Sequence, residues 1–233
     1  MTRPVLEDAR QALDKDGFAL IKSAVDDRQI AQLIEEGESA RSEKAAAGIR
    51  NLLSRRPLIN DFAHSELITG MLRSLTDATP RPVRAILFDK TPGANWYVTW
   101  HQDLTIPVAQ RSDASGFGPW SIKDDVVHVQ PPVSILEKMI SLRIHLDACP
   151  EENGAIKFIA GSHSRGILNA DEIAAIRDSA TARVCAAERG DVIAMRPLIL
   201  HSSSVSQLPG HRRVLHLEFS YADLPAGMDW ATA

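Results

Sequence analysis

A chain of 233 residues, 44% hydrophobic and 24% charged, is long enough to bury a substantial core and reads as a single domain, 1–233. Its formal net charge of −4 leaves no basic footprint for nucleic acid, and Lys and Arg are scattered apart from the pair Arg55-Arg56. No apolar run approaches a membrane span, the acidic N-terminus lacks a leader-like apolar stretch, and Cys149 and Cys185 are the only cysteines, so a cytoplasmic protein with two buried thiols is expected.

Residues 1–82 read as helical apart from one short strand. Leu6, Ala9 and Leu13 recur at helical spacing up to Gly17, and 18–21 follows as a strand. Asp26 or Asp27 caps a second helix through Ile30, Leu33 and Ile34. Ser65 with Glu66 opens a third through Ile68, Met71, Leu72 and Leu75.

From Pro82 onward the texture changes to short runs rich in Val, Ile, Leu and aromatics. They predict strands at 83–88, 95–101, 139–147, 155–159, 183–187, 192–195, 198–201 and 213–219. Asn153-Gly154 marks a tight turn, and Asn169 or Asp171 starts a short helix over 172–177. Helices followed by about eight strands predict an α+β, mainly β fold. The expected architecture is a double-stranded β-helix, the cupin-like jelly roll, over 83–220, with the N-terminal helices packed on one outer face. Residues 104–133 have weak periodicity and are expected to form a lid loop, which the presence of Trp120, Ile122, Val126 and Val127 argues is ordered.

The chemistry rests on histidines. In a strand, residues i and i+2 face the same side, so His-x-Asp can present two metal ligands from one strand end. Two His and one carboxylate on one face of an octahedron are the ligand set of a non-haem iron oxygenase. His-x-Asp alone is weak, arising by chance about half a time in a chain with eight histidines. Here it occurs twice, as His101-Gln102-Asp103 and His145-Leu146-Asp147, with His216-Leu217-Glu218 as a carboxylate relative. His101 and Asp103 end the run NWYVTWHQD, where a strand opens into the long loop and a barrel can admit substrate. His145 and Asp147 sit within a continuous strand and are expected to be satisfied inside the sheet.

The second histidine must come from a distant strand, and His201 follows the apolar run LIL. Arg212 and Arg213 open the next strand, and an arginine beside a metal site is suited to hold a carboxylate through two parallel hydrogen bonds. Lys90 is either a cosubstrate contact or a solvated rim lysine. His163 reads as a turn residue, and Trp96, Tyr97 and Trp100 as filling of the barrel or its rim.

Three ordered blocks, NWYVTWHQD, HLDACPEENGAIKFIAGSH and LHSSSVSQLPGHRR, together resemble the signature regions of the phytanoyl-CoA dioxygenase family across most of 87–219. Ala160 stands where that family's hairpin usually has proline. The resemblance implies an Fe(II)/2-oxoglutarate-dependent dioxygenase that hydroxylates a small-molecule substrate, consuming dioxygen and converting 2-oxoglutarate to succinate. It implies iron held by His101, Asp103 and His201. It also implies that Arg212 anchors the cosubstrate carboxylate with Ser203 assisting, that Arg143 faces the site, and that no residue beyond the metal ligands need be catalytic. The rival readings are a cupin-like metal-binding protein without oxygenase activity and an inactive interaction module. Asp103 disfavours a halogenase, which usually lacks that carboxylate. No pattern speaks to oligomeric state or to the identity of the substrate.

Overall fold

In the computed structural model, which describes residues 3–40 and 48–233, the first third is mainly helical, with two short strands. In chain order it comprises α1 (Arg3–Asp16), β1 (Phe18–Ile21), α2 (Asp27–Ser39), β2 (Gly48–Ile49), α3 (Leu52–Arg55), α4 (Pro57–His64) and α5 (Glu66–Thr76). Local signals account for two starts. The Asp26 carboxylate accepts the Gln29 backbone N–H at 2.8 Å in a full capping box, and Ser65 caps α5 at Ile68. The short elements β2, α3 and α4 were not expected. They span two, four and eight residues, too few for periodicity to register, and Pro57 at the first turn of α4 is their one clear local marker.

The remainder supplies β3 (Arg81–Lys90), β4 (Val98–His101), β5 (Ile106–Val108), β6 (Trp120–Lys123), β7 (Val126–Val129), α6 (Val133–Leu136) and β8 (Met139–His145). It continues through β9 (Ile156–Phe158), α7 (Ala170–Ser179), β10 (Arg183–Cys185), β11 (Val192–Met195), β12 (His201–Ser203) and β13 (Arg212–Ser220). A six-stranded sheet runs in the order β1-β11-β8-β13-β3-β2 and faces a four-stranded sheet, β10-β9-β12-β4. All of these pairings are antiparallel, as a double-stranded β-helix requires.

Alternation along the central strands separates the two faces of the large sheet. Leu215, Leu217 and Phe219 of β13, Ala85 and Leu87 of β3, and Leu142 and Ile144 of β8 bury outward against Leu13, Ile30, Leu33, Ile68 and Leu72 of the helices. Each such fully buried aliphatic side chain contributes about 1.5–3 kcal/mol, so the helical layer is firmly fastened to the sheet. The inward face carries Arg84, Arg143, Arg212, His216 and Glu218 instead. Residues that share a strand thus belong to two different chemistries, set by a period of two.

Two expectations need correction. Residues 198–200 do not form a strand, because Leu198, Ile199 and Leu200 enter three separate apolar clusters and no single sheet face could accommodate them. The strand begins at His201 instead. The stretch 104–133 is also not a loop. β5, β7 and β6 form a three-stranded antiparallel sheet, with Ile106, Val108 and Val129 buried against Val83, Met139, Leu198 and Met228. Its hairpin turns at Asp124-Asp125, both at positive φ (46° and 67°), a primed turn lacking the usual Asn-Gly or Asp-Gly signature. No helix among the described residues is long and apolar enough to cross a membrane, and both cysteines are free and buried, the latter as expected.

Candidate metal centre and its cavity

One of the two inner strands of the four-stranded sheet, β12, pairs with β4 on one side and β9 on the other. Its register sets His201 directly opposite His101, so two histidines 100 positions apart become cross-strand neighbours with ring centroids 4.2 Å apart. Asp103 lies two residues beyond the end of β4, its backbone N–H donating to the Pro197 carbonyl at 2.9 Å. Its carboxylate oxygens stand 3.8 Å from His101 Nε2 and 3.7 Å from His201 Nε2. The three ligand-type atoms converge within 4.8 Å, the one such convergence of His, Cys, Asp and Glu among the described residues.

The imidazoles are prepared to donate lone pairs. Nδ1 of His101 is 2.8 Å from the Thr99 carbonyl, and Nδ1 of His201 is 3.0 Å from the Ile199 carbonyl. A carbonyl only accepts, so each Nδ1 carries a proton and Nε2 is the ring atom left turned toward Asp103. Burial holds the His201 imidazolium off, lowering its pKa to about 4 against the pull of Asp103. Burial alone would raise the Asp103 carboxyl, but His201, His216, His101 and Arg84 hold it below the usual range. A His201 imidazole held neutral by burial and an ionised Asp103 carboxylate are protonation states a divalent metal requires, and with the His101 Nε2 on the same side this donor set fits one.

Gln102, between the two β4-side ligands, points the opposite way and is fully engaged. Its amide donates to the Gly166 and Leu198 carbonyls at 2.8 and 2.7 Å and accepts the Leu168 N–H at 2.9 Å. Those bonds hold the backbone that presents His101 and Asp103. Gln102 is a positioning residue that the His-x-Asp pattern conceals, because its middle position carries no constraint in the motif.

The triad opens on a cavity of about 420 Å³ between the sheets. At one end Arg212, 3% exposed, donates to the Gly154 carbonyl at 3.2 Å, while its Nε has no protein partner among the described residues. Arg143 and Ser203 also line the cavity, and the Arg143 guanidinium approaches His216 Nδ1 at 3.4 Å. Burial, with Arg212 adding repulsion, lowers the Arg143 pKa to about 10, which leaves it a cation at neutral pH. Lys90 is not a solvated rim residue. It is fully buried, donates to Ser203 Oγ at 3.2 Å and to the Ser204 carbonyl at 2.5 Å, and does not line the cavity itself. Burial and the neighbouring arginines depress its pKa to about 7.

The second His-x-Asp pair lies elsewhere. Asp147 is satisfied as expected, accepting the Arg213 backbone N–H at 2.9 Å and its guanidinium at 2.8 and 2.9 Å. His145 is not: both ring nitrogens lack partners among the described residues. Burial, followed by Arg143 and Arg212, pushes its pKa down to about 3, so it is held neutral on the inner face of β8. Of the aromatic residues, Trp96 lines the cavity, Trp100 packs beside Leu200, and Tyr97 is exposed.

Gly154 links the predicted Asn-Gly turn to this end of the cavity. Its φ is +69°, and a Cβ there would lie 2.5 Å from the Ser204 carbonyl oxygen. Gly154→Ala is therefore expected to destabilise the protein by about 1–3 kcal/mol, read as a fall in thermal midpoint, by displacing the strand that carries Ser203.

The family model described as Phytanoyl-CoA dioxygenase (PhyH) matches residues 13–214. No curated protein matches the chain by sequence. Among solved structures, AviO1 from Streptomyces viridochromogenes Tue57 superposes with a TM-score of 0.68 at 21% identity, covering 94% of this chain and 96% of that one. The non-heme alpha ketoglutarate dependent carbocyclase SnoK from nogalamycin biosynthesis gives 0.70 at 15% identity, with 97% and 86% covered. HygX from Streptomyces hygroscopicus, with nickel and 2-oxoglutarate bound, gives 0.66 at 15% identity, with 94% and 87% covered. At these identities the structural likeness establishes the fold. With the family match extending from α1 into β13, the chain belongs to the phytanoyl-CoA dioxygenase family.

Proposed function

We propose that this chain is an iron(II)- and 2-oxoglutarate-dependent oxygenase in which His101, Asp103 and His201 hold the iron. The observation that carries this reading is the facing triad, one ligand atom each from two imidazoles and a carboxylate within 4.8 Å, opening on a cavity that also contains an arginine whose Nε has no partner among the described residues. HygX was crystallised with 2-oxoglutarate, which adds support from a protein of the same fold.

Arg212 is placed to take the distal carboxylate of 2-oxoglutarate, with Ser203 beside it and Lys90 fixing Ser203 from behind. Arg143 adds a second cation at mid-cavity. Iron with 2-oxoglutarate supplies, when bound, an oxidant able to break an unactivated C–H bond, and the chemistry of that step belongs to the bound groups. The chain's own residues bind and orient the reactants and limit water. Leu104, Thr105 and Lys123 line the cavity next to Asp103, so residues 104–133 act on selectivity as part of a packed wall.

Hydroxylation is the outcome we assign, since no further acid or base is needed for it. SnoN and SnoK, of the same fold, are an epimerase and a carbocyclase, so product analysis decides the outcome. The test is anaerobic loading with iron(II), then oxygen exposure with 2-oxoglutarate across a panel of small organic substrates. A substrate-dependent rise in succinate, matched by a product that has gained one oxygen atom, is expected. Iron-loaded protein that neither binds 2-oxoglutarate nor forms succinate with any compound contradicts the assignment, and a product without added oxygen redirects it to another oxidation.

A further inference from the structure

The cavity has a second cationic end that the metal and the cosubstrate do not account for. Five cations, Arg50, Arg84, Lys123, Arg143 and Arg212, line it against two carboxylates, Asp103 and Glu218, an excess of three positive charges in a chain whose overall charge is −4. An iron(II) dication and a 2-oxoglutarate dianion cancel one another and leave that excess untouched. Asp124 offsets Arg50 at 3.2 Å, and an excess of cationic charge still remains.

Register separates the two ends. Arg212 pairs with Lys90 and Glu218 pairs with Arg84, so the arginines sit at opposite ends of the same strand pair, six residues apart, or roughly 20 Å at about 3.3 Å per residue. His216 lies between them, opposite Arg143. A five-carbon diacid anchored at Arg212 cannot reach the Arg84 end. There Glu218 is shared between Arg84 at 2.5 Å and His216 at 3.1 Å, and the buried Arg84 Nε keeps no partner. Lys123 donates to Thr105 Oγ1 at 3.1 Å and, among the described residues, has no carboxylate at ion-pair distance, Glu218 and Asp103 acting on it only from farther off. Cations in a half-enclosed cavity focus a positive field, which favours an anion more than the same charges would in open solvent.

Building on the oxygenase reading, we propose that the substrate is an organic acid whose oxyanion, carboxylate or phosphate, docks at Lys123 and Arg84. Its body then lies along Ile86 and Phe88 within the cavity that the triad shares. A neutral compound of the same shape leaves Lys123 without a counter-charge at hydrogen-bond distance and the Arg84 Nε without an acceptor, and binds more weakly.

The test uses anaerobic iron(II) protein saturated with 2-oxoglutarate, which occupies the Arg212 end, titrated calorimetrically with phenylacetate, phenyl phosphate and 2-phenylethanol. At least one acid is expected to bind tenfold or more tighter than the alcohol, with the advantage shrinking as salt is raised. Which acid wins identifies the oxyanion. Lys123→Met is expected to remove the advantage, whereas Lys123→Arg retains it. Acids that bind no better than the alcohol, including not at all, overturn the proposal, as does an acid preference that survives in Lys123→Met. The wild-type ratio needs no variant, so it stands even if Lys123→Met misfolds. A prior 2-oxoglutarate titration keeps the two readings apart: failure there counts against the oxygenase assignment, while normal cosubstrate binding without acid preference counts against the docking end alone.

Discussion

Alanine at His101 or at His201 is expected to abolish iron(II) binding, whereas His145→Ala leaves it in place. The two pairs share a motif and differ in what their nitrogens face. His101 and His201 have Nδ1 committed to backbone carbonyls and Nε2 turned to a common carboxylate. His145 is near two arginines, neither of its ring nitrogens has a partner among the described residues, and its neighbour in the motif, Asp147, is consumed by Arg213. Changing a residue that only supports a metal ligand costs roughly 10–100-fold in affinity, and removing a ligand costs more. Anaerobic equilibrium dialysis against iron(II), scored by metal per chain, reads the result directly. Metal retained by His101→Ala and lost from His145→Ala would reverse the assignment.

Arg212→Ala is expected to weaken 2-oxoglutarate binding roughly a hundred- to several-thousand-fold, while Arg213→Ala leaves it unchanged and lowers stability. Breaking one side of a buried charge pair costs about 3–5 kcal/mol, and each 1.4 kcal/mol is a factor of ten in affinity. Arg212 faces inward with a free Nε. One residue along β13 the direction reverses, and Arg213 pairs instead with Asp147 and with Glu38 at 2.9 Å on the helical side. Stripping Asp147 of that partner costs about 1–3 kcal/mol, visible as a lower thermal midpoint. Cosubstrate titrations and thermal melts of the two variants give opposite patterns if this holds. A loss of 2-oxoglutarate affinity confined to Arg213→Ala would exchange their roles.

Much of this was legible along the chain because the information is local or strictly periodic. Caps at Asp26 and Ser65 start helices through hydrogen bonds within three residues. The alternation of Arg212, His216 and Glu218 with Leu215, Leu217 and Phe219 declares a strand with one polar and one apolar face. The three sequence blocks with His101, Asp103, His201 and Arg212 carry the family, and the match over 13–214 agrees with them.

What stayed hidden depends on contacts between distant segments. Periodicity could not show that Leu198, Ile199 and Leu200 serve three different clusters, so the apolar run resembled a strand. Residues 104–133 appeared loop-like because each of their strands is only three or four residues long and turns at Asp124-Asp125, and only burial against 83, 139, 198 and 228 makes them a sheet. Lys90 read as either a cosubstrate contact or a rim lysine, and the fold encloses it behind Ser203. The residue types able to hold a metal and an acid are determined by the sequence itself. Which of two identical His-x-Asp motifs meets a second histidine is decided by the β12–β4 register, and that the arginines Arg84 and Arg212 mark opposite ends of one cavity is decided by the β3–β13 register, because strand pairing sets distances that no local pattern encodes.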